Sequence, residues 1–245
     1  MSDESTGAPP SLEDAWATLD RQGYALTNDR ALGLPEGLRE DFHKAYFNSS
    51  VLRRDPGDMP KDRRRARDVI RYQWRCGALD MQEHDSITIT NRSGMPGKRD
   101  HARVRFLEDP QAASLVRAFL SLVPPGRRQA DGTFDINLFR TFTNVVSGPH
   151  CDDEQFCVIY LLSRMGGGAE TYLYKRGDFS DRGEPTAEPI FKHQLNPGEI
   201  IIFEDKRFKH GATPLEAPPG GTAMRDAVVC TVDYRETYLA GAGLN

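Results

Sequence analysis

Four residues in the second half of the chain have the types and order of a metal site. His150 and Asp152 are separated by one residue, and His210 and Arg225 follow much later. Two imidazoles and one carboxylate can bind one face of a ferrous ion and leave the opposite face open. The guanidinium of Arg225 can hold a carboxylate-bearing co-substrate beside the metal, because its planar fork of donors matches a carboxylate. The four residues therefore predict an iron-dependent oxygenase.

The spacing of these residues indicates how the strands that carry them must be arranged. On an extended strand His150 and Asp152 point to the same face, because side chains alternate along a strand. His210 follows a β-forming run at residues 199–203 and a polar turn, so it comes from a distant part of the fold. Zinc accepts the same ligands, although the sequence lacks the H-E-x-x-H and P-C-x-x-C signatures of zinc proteases and deaminases. The three ligands alone leave iron and zinc open.

The second half of the chain has the sequence pattern of an antiparallel β fold. Short β-rich runs separated by glycine and proline occur at residues 136–142, 156–162, 169–174, 190–195, 199–203 and 227–234. Many short strands with such turns indicate a sandwich or barrel, and no helices alternate with them as a parallel sheet would require. We therefore predict a mainly β (α+β) fold. Its core, at about residues 130–235, is a double-stranded β-helix, that is, a cupin-like jelly roll.

The first half of the chain has helical patterns. We predict a helix capped by Ser11, a second helix after Pro35 and a third at residues 108–122, with a short strand at residues 24–27. This helical part, residues 11–125, is expected to pack on one face of the jelly roll. Residues 1–10 are expected to be a disordered leader, and residues 11–245 a single domain.

The overall composition limits the classes of binding partner and the cellular compartment that we expect. The chain has 245 residues and a formal net charge of −4, which gives no general attraction to nucleic acid or anionic membranes. No apolar run approaches the roughly 20 residues that span a bilayer, and the polar N-terminus is not a secretory signal. The four cysteines form no C-x-x-C pair, so we expect buried free thiols in a reducing compartment. We predict a cytoplasmic protein without nucleic-acid or membrane partners, and a homodimer is compatible with the sequence.

A basic run, Asp-Arg-Arg-Arg-Ala-Arg, occupies residues 62–67. Such a run attracts an anionic substrate or nucleic acid, but a solvated helix face is the more ordinary interpretation. No interleaved aromatic residues or zinc-finger spacing supports nucleic-acid binding. We therefore expect the run to lie on an exposed helix.

Four segments of the second half carry a resemblance to a known family. They are a Gly-Pro-His-Cys-Asp turn at 148–152, two strands joined by glycines at 160–174, an acidic-basic turn leading to His210 at 203–214, and a closing strand at 225–232. Together they resemble the Fe(II)/2-oxoglutarate-dependent dioxygenases. More narrowly, they resemble the bacterial free amino-acid hydroxylases of the L-isoleucine 4-hydroxylase type.

The resemblance implies roles for individual residues. It implies that His150, Asp152 and His210 bind Fe(II) and that Arg225 binds the distal carboxylate of 2-oxoglutarate. Arg140, on the strand before the metal turn, matches an arginine that contacts 2-oxoglutarate or the substrate carboxylate, with a structural ion pair as the alternative. Thr171 follows the glycine turn and is expected to approach the same site.

The substrate-facing residues implied by the resemblance are less specific. In the first half the corresponding positions are Arg71, Gln73, Asn91 and Arg105. After the metal turn, Asp153 and Glu154 stand where relatives often have a glycine. These two acids either recognise a cationic or hydrogen-bonding substrate side chain or face solvent.

The implied reaction is hydroxylation of an unactivated C–H bond of a free L-amino acid, polar or non-proteinogenic. Dioxygen and 2-oxoglutarate are consumed, and succinate and carbon dioxide are released. One alternative is a hydroxylase of another small natural-product intermediate. The other is a non-catalytic, cupin-like metal-binding module.

Overall fold

The computed structural model describes residues 11–54, 63–85, 89–90, 98–99, 102–142 and 148–233. The α-helices are α1 (Leu12–Gln22), α2 (Leu38–Tyr46) and α3 (Pro110–Ser121), and short 3₁₀ helices lie at Phe106–Glu108 and Pro125–Arg127. The strands are β1 (Tyr24–Asn28), β2 (Arg64–Arg75), β3 (Ala78–Glu83), β4 (Ile89–Thr90), β5 (Lys98–Arg99), β6 (Asp131–Thr141), β7 (Phe156–Met165), β8 (Gly167–Gly168), β9 (Thr171–Lys175), β10 (Phe191–His193), β11 (Glu199–Glu204), β12 (Phe208–Ala212), β13 (Leu215–Glu216) and β14 (Met224–Asp233).

Two antiparallel sheets form the core. The large sheet has the strand order β1-β11-β7-β14-β6-β2-β3, and the small sheet has the order β10-β9-β12. An isolated antiparallel bridge between His150 and His210 extends the small sheet beyond β12. The predicted mainly β jelly-roll fold is confirmed.

The helices form where their end signals predict them. Ser11 caps α1 through a capping box with Asp14, in which each side chain accepts the other residue's backbone N–H. Gly23 ends this helix at φ 83°, a left-handed conformation that glycine adopts without steric cost. All three predicted helices and the strand after Gly23 are present in the structure.

The basic run does not form the expected helix. Residues 64–67 begin β2, and Arg65 and Arg67 are buried, with 8% and 6% of their surface exposed. The expectation of a solvated helix face was therefore wrong. The strand continues through Val69 and Ile70, and antiparallel pairing with β6 and β3 overrides the local preference of the arginines. The N-terminal part thus contributes strands as well as helices.

The large sheet has two different faces, and alternation along each strand decides which face a side chain joins. The outer face packs against the helices, for example through Leu138 of β6 and Val228 of β14. The inner face packs against the small sheet, where Ala227 and Phe203 meet Leu173. A β-bulge between Asp226 and its neighbour Ala227 shifts the register of β14 against β7.

The cysteines in the described residues are all free thiols. Cys157 and Cys230 are buried, and burial raises the pKa of both thiols well above the usual value. Cys151 is half-buried and Cys76 is exposed, so the expectation of buried thiols holds for two of the four. Among the described helices, none is long and apolar enough to cross a membrane.

Candidate metal centre

His150, Asp152 and His210 converge on one point. Their nearest nitrogen and oxygen atoms all lie within 4.8 Å of one another. The Asp152 carboxylate is 4.0 Å from Nε2 of His150 and 3.6 Å from Nε2 of His210. The backbones of the two histidines exchange hydrogen bonds of 3.0 and 2.8 Å, which fixes the turn of the first against the strand of the second. The structure thus brings the three predicted ligands together.

The imidazole of His150 is oriented by a hydrogen bond. Its Nδ1 lies 3.0 Å from the carbonyl oxygen of Gly148. Nδ1 therefore carries the proton and donates, which leaves the lone pair of Nε2 directed at the centre of the triad. On the other side, the ring of His210 packs against Phe203 with a centroid distance of 5.0 Å.

A buried carboxylate, Asp205, connects both parts of the site. Its side chain is fully buried, and one oxygen accepts the backbone N–H groups of Asp152 and Glu154 at 2.9 and 3.0 Å. The other oxygen lies 3.1 Å from Nδ1 of His210, and neither of these two buried atoms has a hydrogen-bond partner with good geometry among the described residues. Asp205 therefore favours the tautomer of His210 in which Nε2 is free to bind a metal.

Asp205 was not among the site residues predicted from the sequence. The available signal was an acid in the turn between β11 and the distal histidine, at residues 204–207. Nothing in the sequence indicates that this turn folds back onto the backbone of the His150–Asp152 segment. A buried acid with two N–H donors and an imidazole partner is visible only in three dimensions.

We expect Asp205→Asn to weaken metal binding by about 10- to 100-fold, the range typical of changes to partners that orient a ligand. The amide oxygen can still accept the two backbone N–H groups, but the NH₂ group would face Nδ1 of His210. That arrangement favours the tautomer with a proton on Nε2, which cannot bind a metal. Titration with Fe(II) under argon measures the affinity, and Asp181→Asn on an exposed turn is the control. Unchanged affinity would show that Asp205 does not orient His210.

The residues present fit a divalent metal ion. Two imidazoles and one carboxylate converge, and the Nδ1 atoms of both imidazoles face oxygen atoms, as in protein metal sites. Three protein donors leave further coordination positions open. Iron chemistry with a chelating co-substrate requires such open positions.

Arg225 lies between the two sheets, as its predicted role requires. It is on β14, two residues before the inward-facing Ala227, and its Nη2 lies 3.4 Å from the hydroxyl oxygen of the buried Thr171 on β9. Burial, followed by the positive charges of Arg63 and Arg164, lowers the pKa of Arg225 to about 10. At neutral pH the side chain stays positively charged. Among the described residues Arg225 contacts the hydroxyl of Thr171 and no carboxylate, so an anionic ligand is the natural partner.

Arg140 is on the opposite face of the large sheet. Its guanidinium forms a bidentate ion pair with Asp226, at 2.8 and 2.6 Å, and the same buried carboxylate contacts Nε2 of His43 on α2 at 2.6 Å. Arg140 alternates with Leu138 and therefore points to the helix side, away from Arg225. The structure does not bring Arg140 to the co-substrate site; it shows the alternative interpretation, a structural ion pair.

The acids after the metal turn have partners of their own. Asp153, at φ 64°, forms an exposed ion pair of 2.7 Å with Arg176. The backbone N–H of Glu154 is held by Asp205. Both residues lie at the metal turn, and their predicted contact with substrate stays a prediction.

The predicted substrate residues of the first half have protein partners where the structure describes them, and their contact with substrate stays a prediction. Arg71 forms an exposed ion pair of 3.0 Å with Asp85, and Gln73 accepts a hydrogen bond from Arg75. These residues lie in the second half of β2, where Arg71 pairs with Thr133 and Gln73 with Asp131 at the start of β6. Arg105 is exposed at the 3₁₀ turn, 3.8 Å from Glu108. Asn91 lies outside the described residues.

The sequence from residue 49 to residue 231 matches the profile of the 2OG-Fe dioxygenase family. Because this match covers most of the chain, the protein belongs to the 2OG-Fe dioxygenase family. Iron(II), 2-oxoglutarate and dioxygen are therefore its cofactors, in agreement with the His-His-Asp triad. A comparison with curated protein sequences gives no match.

Solved structures share the fold over nearly the whole chain. A bsmA homolog from Methylobium petroleophilum PM1 has a TM-score of 0.70 at 21% identity, covering 93% of this chain and 94% of that one. IDO from Bacillus thuringiensis has a TM-score of 0.69 at 17% identity, with coverages of 95% and 99%. The Fe(II)/(alpha)ketoglutarate-dependent dioxygenase TqaL has a TM-score of 0.69 at 12% identity, with coverages of 91% and 86%. At these identities the similarity supports the fold.

Proposed function

We propose that this 2OG-Fe dioxygenase hydroxylates an unactivated C–H bond of a free L-amino acid. The observation that carries the proposal is the convergence of His150, Asp152 and His210, and it is supported by Arg225, which contacts the buried Thr171 of the small sheet. The free amino acid as substrate is supported by the resemblance of residues 160–174 and 203–214 to amino-acid hydroxylases. Polar and non-proteinogenic amino acids belong in the substrate class, because Asp153 and Glu154 follow the metal turn.

In this proposal His150, Asp152 and His210 hold the iron, and Asp205 keeps the two metal-bearing segments in register. Dioxygen is the oxidant; bound iron would activate it with two electrons from the decarboxylation of 2-oxoglutarate, and the substrate C–H bond would supply the other two. The protein contributes positioning, because reacting groups held in the correct geometry lose less entropy on reaching the transition state.

Arg225 holds the distal carboxylate of 2-oxoglutarate in this proposal. The buried hydroxyl of Thr171 contacts Arg225 and fixes the direction of the guanidinium. Burial makes a charge-assisted hydrogen bond stronger than it would be in water. The apolar inner face formed by Leu161, Leu173 and Ala227 keeps the surrounding space dry.

A panel of free L-amino acids, including non-proteinogenic ones, tests the proposal. Each compound is incubated with the protein, Fe(II), ascorbate and 2-oxoglutarate, and the products are scored by a mass gain of one oxygen atom and by succinate. We expect at least one amino acid to give product and succinate in equal amounts. Succinate without any oxygenated amino acid would point to another small natural-product intermediate. No succinate under any condition would favour a non-catalytic metal-binding module.

Other expectations remain predictions within this proposal. They are the cytoplasmic location, the homodimer, and the absence of nucleic-acid and membrane partners. The composition supports the last of these through the net charge of −4.

A further inference from the structure

Two buried arginines lie side by side on the inner face of β2. Arg65 and Arg67 flank Ala66, which belongs to the core on the helix side. Because side chains alternate along a strand, the two arginines point to the other face. The basic run thus places two guanidiniums on the face that also carries Arg225.

The neighbouring strand, β6, confirms this orientation and adds an acid. The Arg67 guanidinium forms a buried ion pair with Asp135, which lies between the helix-side residues Phe134 and Ile136. Arg65 is the direct cross-strand partner of Phe139, a residue of the same inward set. Positive and negative groups therefore lie together on the inner face of β2 and β6.

This charged group is close to the metal and co-substrate site. In the large sheet β6 lies between β14, which carries Arg225, and β2. With strands about 4.8 Å apart, β2 is only about 10 Å from β14. The small sheet ends at the His150 bridge beside β12, whereas the large sheet continues beyond β14 through β6 to β2.

Stability alone gives little reason for these charges. On the opposite face of the same strand, the buried positions are filled by Ala66, Asp68 and Ile70, and Asp68 has structural partners in Arg103 and the backbone N–H of Phe106. A buried ion pair is often no more stabilising than apolar residues of similar volume, because both charges lose their hydration. On the face that also carries Arg225, two arginines and an aspartate present charges complementary to those of a zwitterionic ligand.

We propose that Arg65, Arg67 and Asp135 form a subsite for the zwitterionic head of a free α-amino acid. The substrate carboxylate binds the arginines, and its ammonium group binds Asp135. The inference rests on the proposed function and deepens it, since a residue within a peptide chain carries neither charge at this position. The amino-acid side chain is then left to reach the iron.

Binding measurements with matched ligands test the subsite. The holoenzyme with Fe(II) and 2-oxoglutarate is titrated under argon with the best amino acid of the panel, with its α-carboxamide and with its 2-hydroxy acid analogue. We expect the wild type to bind the amino acid about 10- to 100-fold more tightly than either analogue, the range for losing a hydrogen bond to a charged group.

Two variants should each lose a different preference, one for the amino acid over its amide and the other for the amino acid over its hydroxy acid. Arg65→Gln should lose much of the preference for the amino acid over its amide, because only Arg67 then holds the carboxylate, while still discriminating against the hydroxy acid. Asp135→Asn should show the reverse. Arg64→Gln is the matched control, because Arg64 is an exposed neighbour in the same run that packs near Phe142. It should keep both preferences.

The outcomes separate this inference from the proposed function. If an amino acid is oxygenated but Arg65→Gln and Asp135→Asn keep the wild-type ratios, the subsite is wrong and the function stands. If no free amino acid binds or reacts, both are wrong. Thermal melting reports whether each variant folds, and if Asp135→Asn does not fold, the ratio for Arg65→Gln decides alone.

Discussion

Asp152→Ala is expected to abolish oxygenation. Asp152 supplies the only carboxylate of the triad, and without it two neutral imidazoles must hold a doubly charged ion. The loss of iron affinity should exceed the roughly 10- to 100-fold typical of residues that only orient a ligand. The turn itself should stay in place, because Asp205 holds the backbone N–H of residue 152 rather than its side chain.

Two measurements separate loss of metal from loss of fold. Fe(II) titration under argon should show weak binding by Asp152→Ala, and thermal melting of the metal-free protein should remain close to wild type. Asp181→Ala removes an exposed carboxylate and serves as the control. Full succinate and product formation by Asp152→Ala would overturn the assignment of the metal ligands.

Arg225→Ala is expected to raise the KM for 2-oxoglutarate by about 30-fold or more. Truncating one partner of a buried, hydrogen-bonded charge pair costs roughly 2–5 kcal/mol. Arg225→Lys keeps the charge but loses the planar fork, so its KM should lie between those of wild type and the alanine variant. Steady-state kinetics gives the KM. The increase in melting temperature that 2-oxoglutarate causes in the metal-loaded protein measures binding without turnover.

Arg140→Ala provides the contrast on the other face of the sheet. It leaves the buried carboxylate of Asp226 without its guanidinium partner, so the melting temperature should fall while the KM for 2-oxoglutarate stays near wild type. If Arg140→Ala raised the KM and Arg225→Ala did not, the two arginines would have exchanged roles.

The metal triad could be predicted from sequence because residue type, spacing and order all carry information. One intervening residue places His150 and Asp152 on the same side of an extended segment. The β-forming run at 199–203 predicts a strand that leads the chain back toward them. These features are local, and only the meeting of the two segments required the fold.

The face occupied by Arg140 could not be predicted in the same way. Both faces of β6 and β14 are buried, so alternation of apolar and polar residues does not mark the inner side. Only the packing of Leu138 against the helices shows that Arg140 points outward. The basic run was predicted as a helix for a related reason. A run of four arginines shows neither the hydrophobic periodicity of a helix nor that of a strand, and pairing with β6 decides its conformation.

The contacts of Asp205 also bear on how the protein acquires its metal. Two segments distant in sequence are already joined through this one carboxylate and through the paired backbones of His150 and His210. These segments therefore lose their conformational entropy when the protein folds, and not when iron binds. Iron should exchange without unfolding of the jelly roll, and protein stripped of metal should recover activity promptly when Fe(II) is restored.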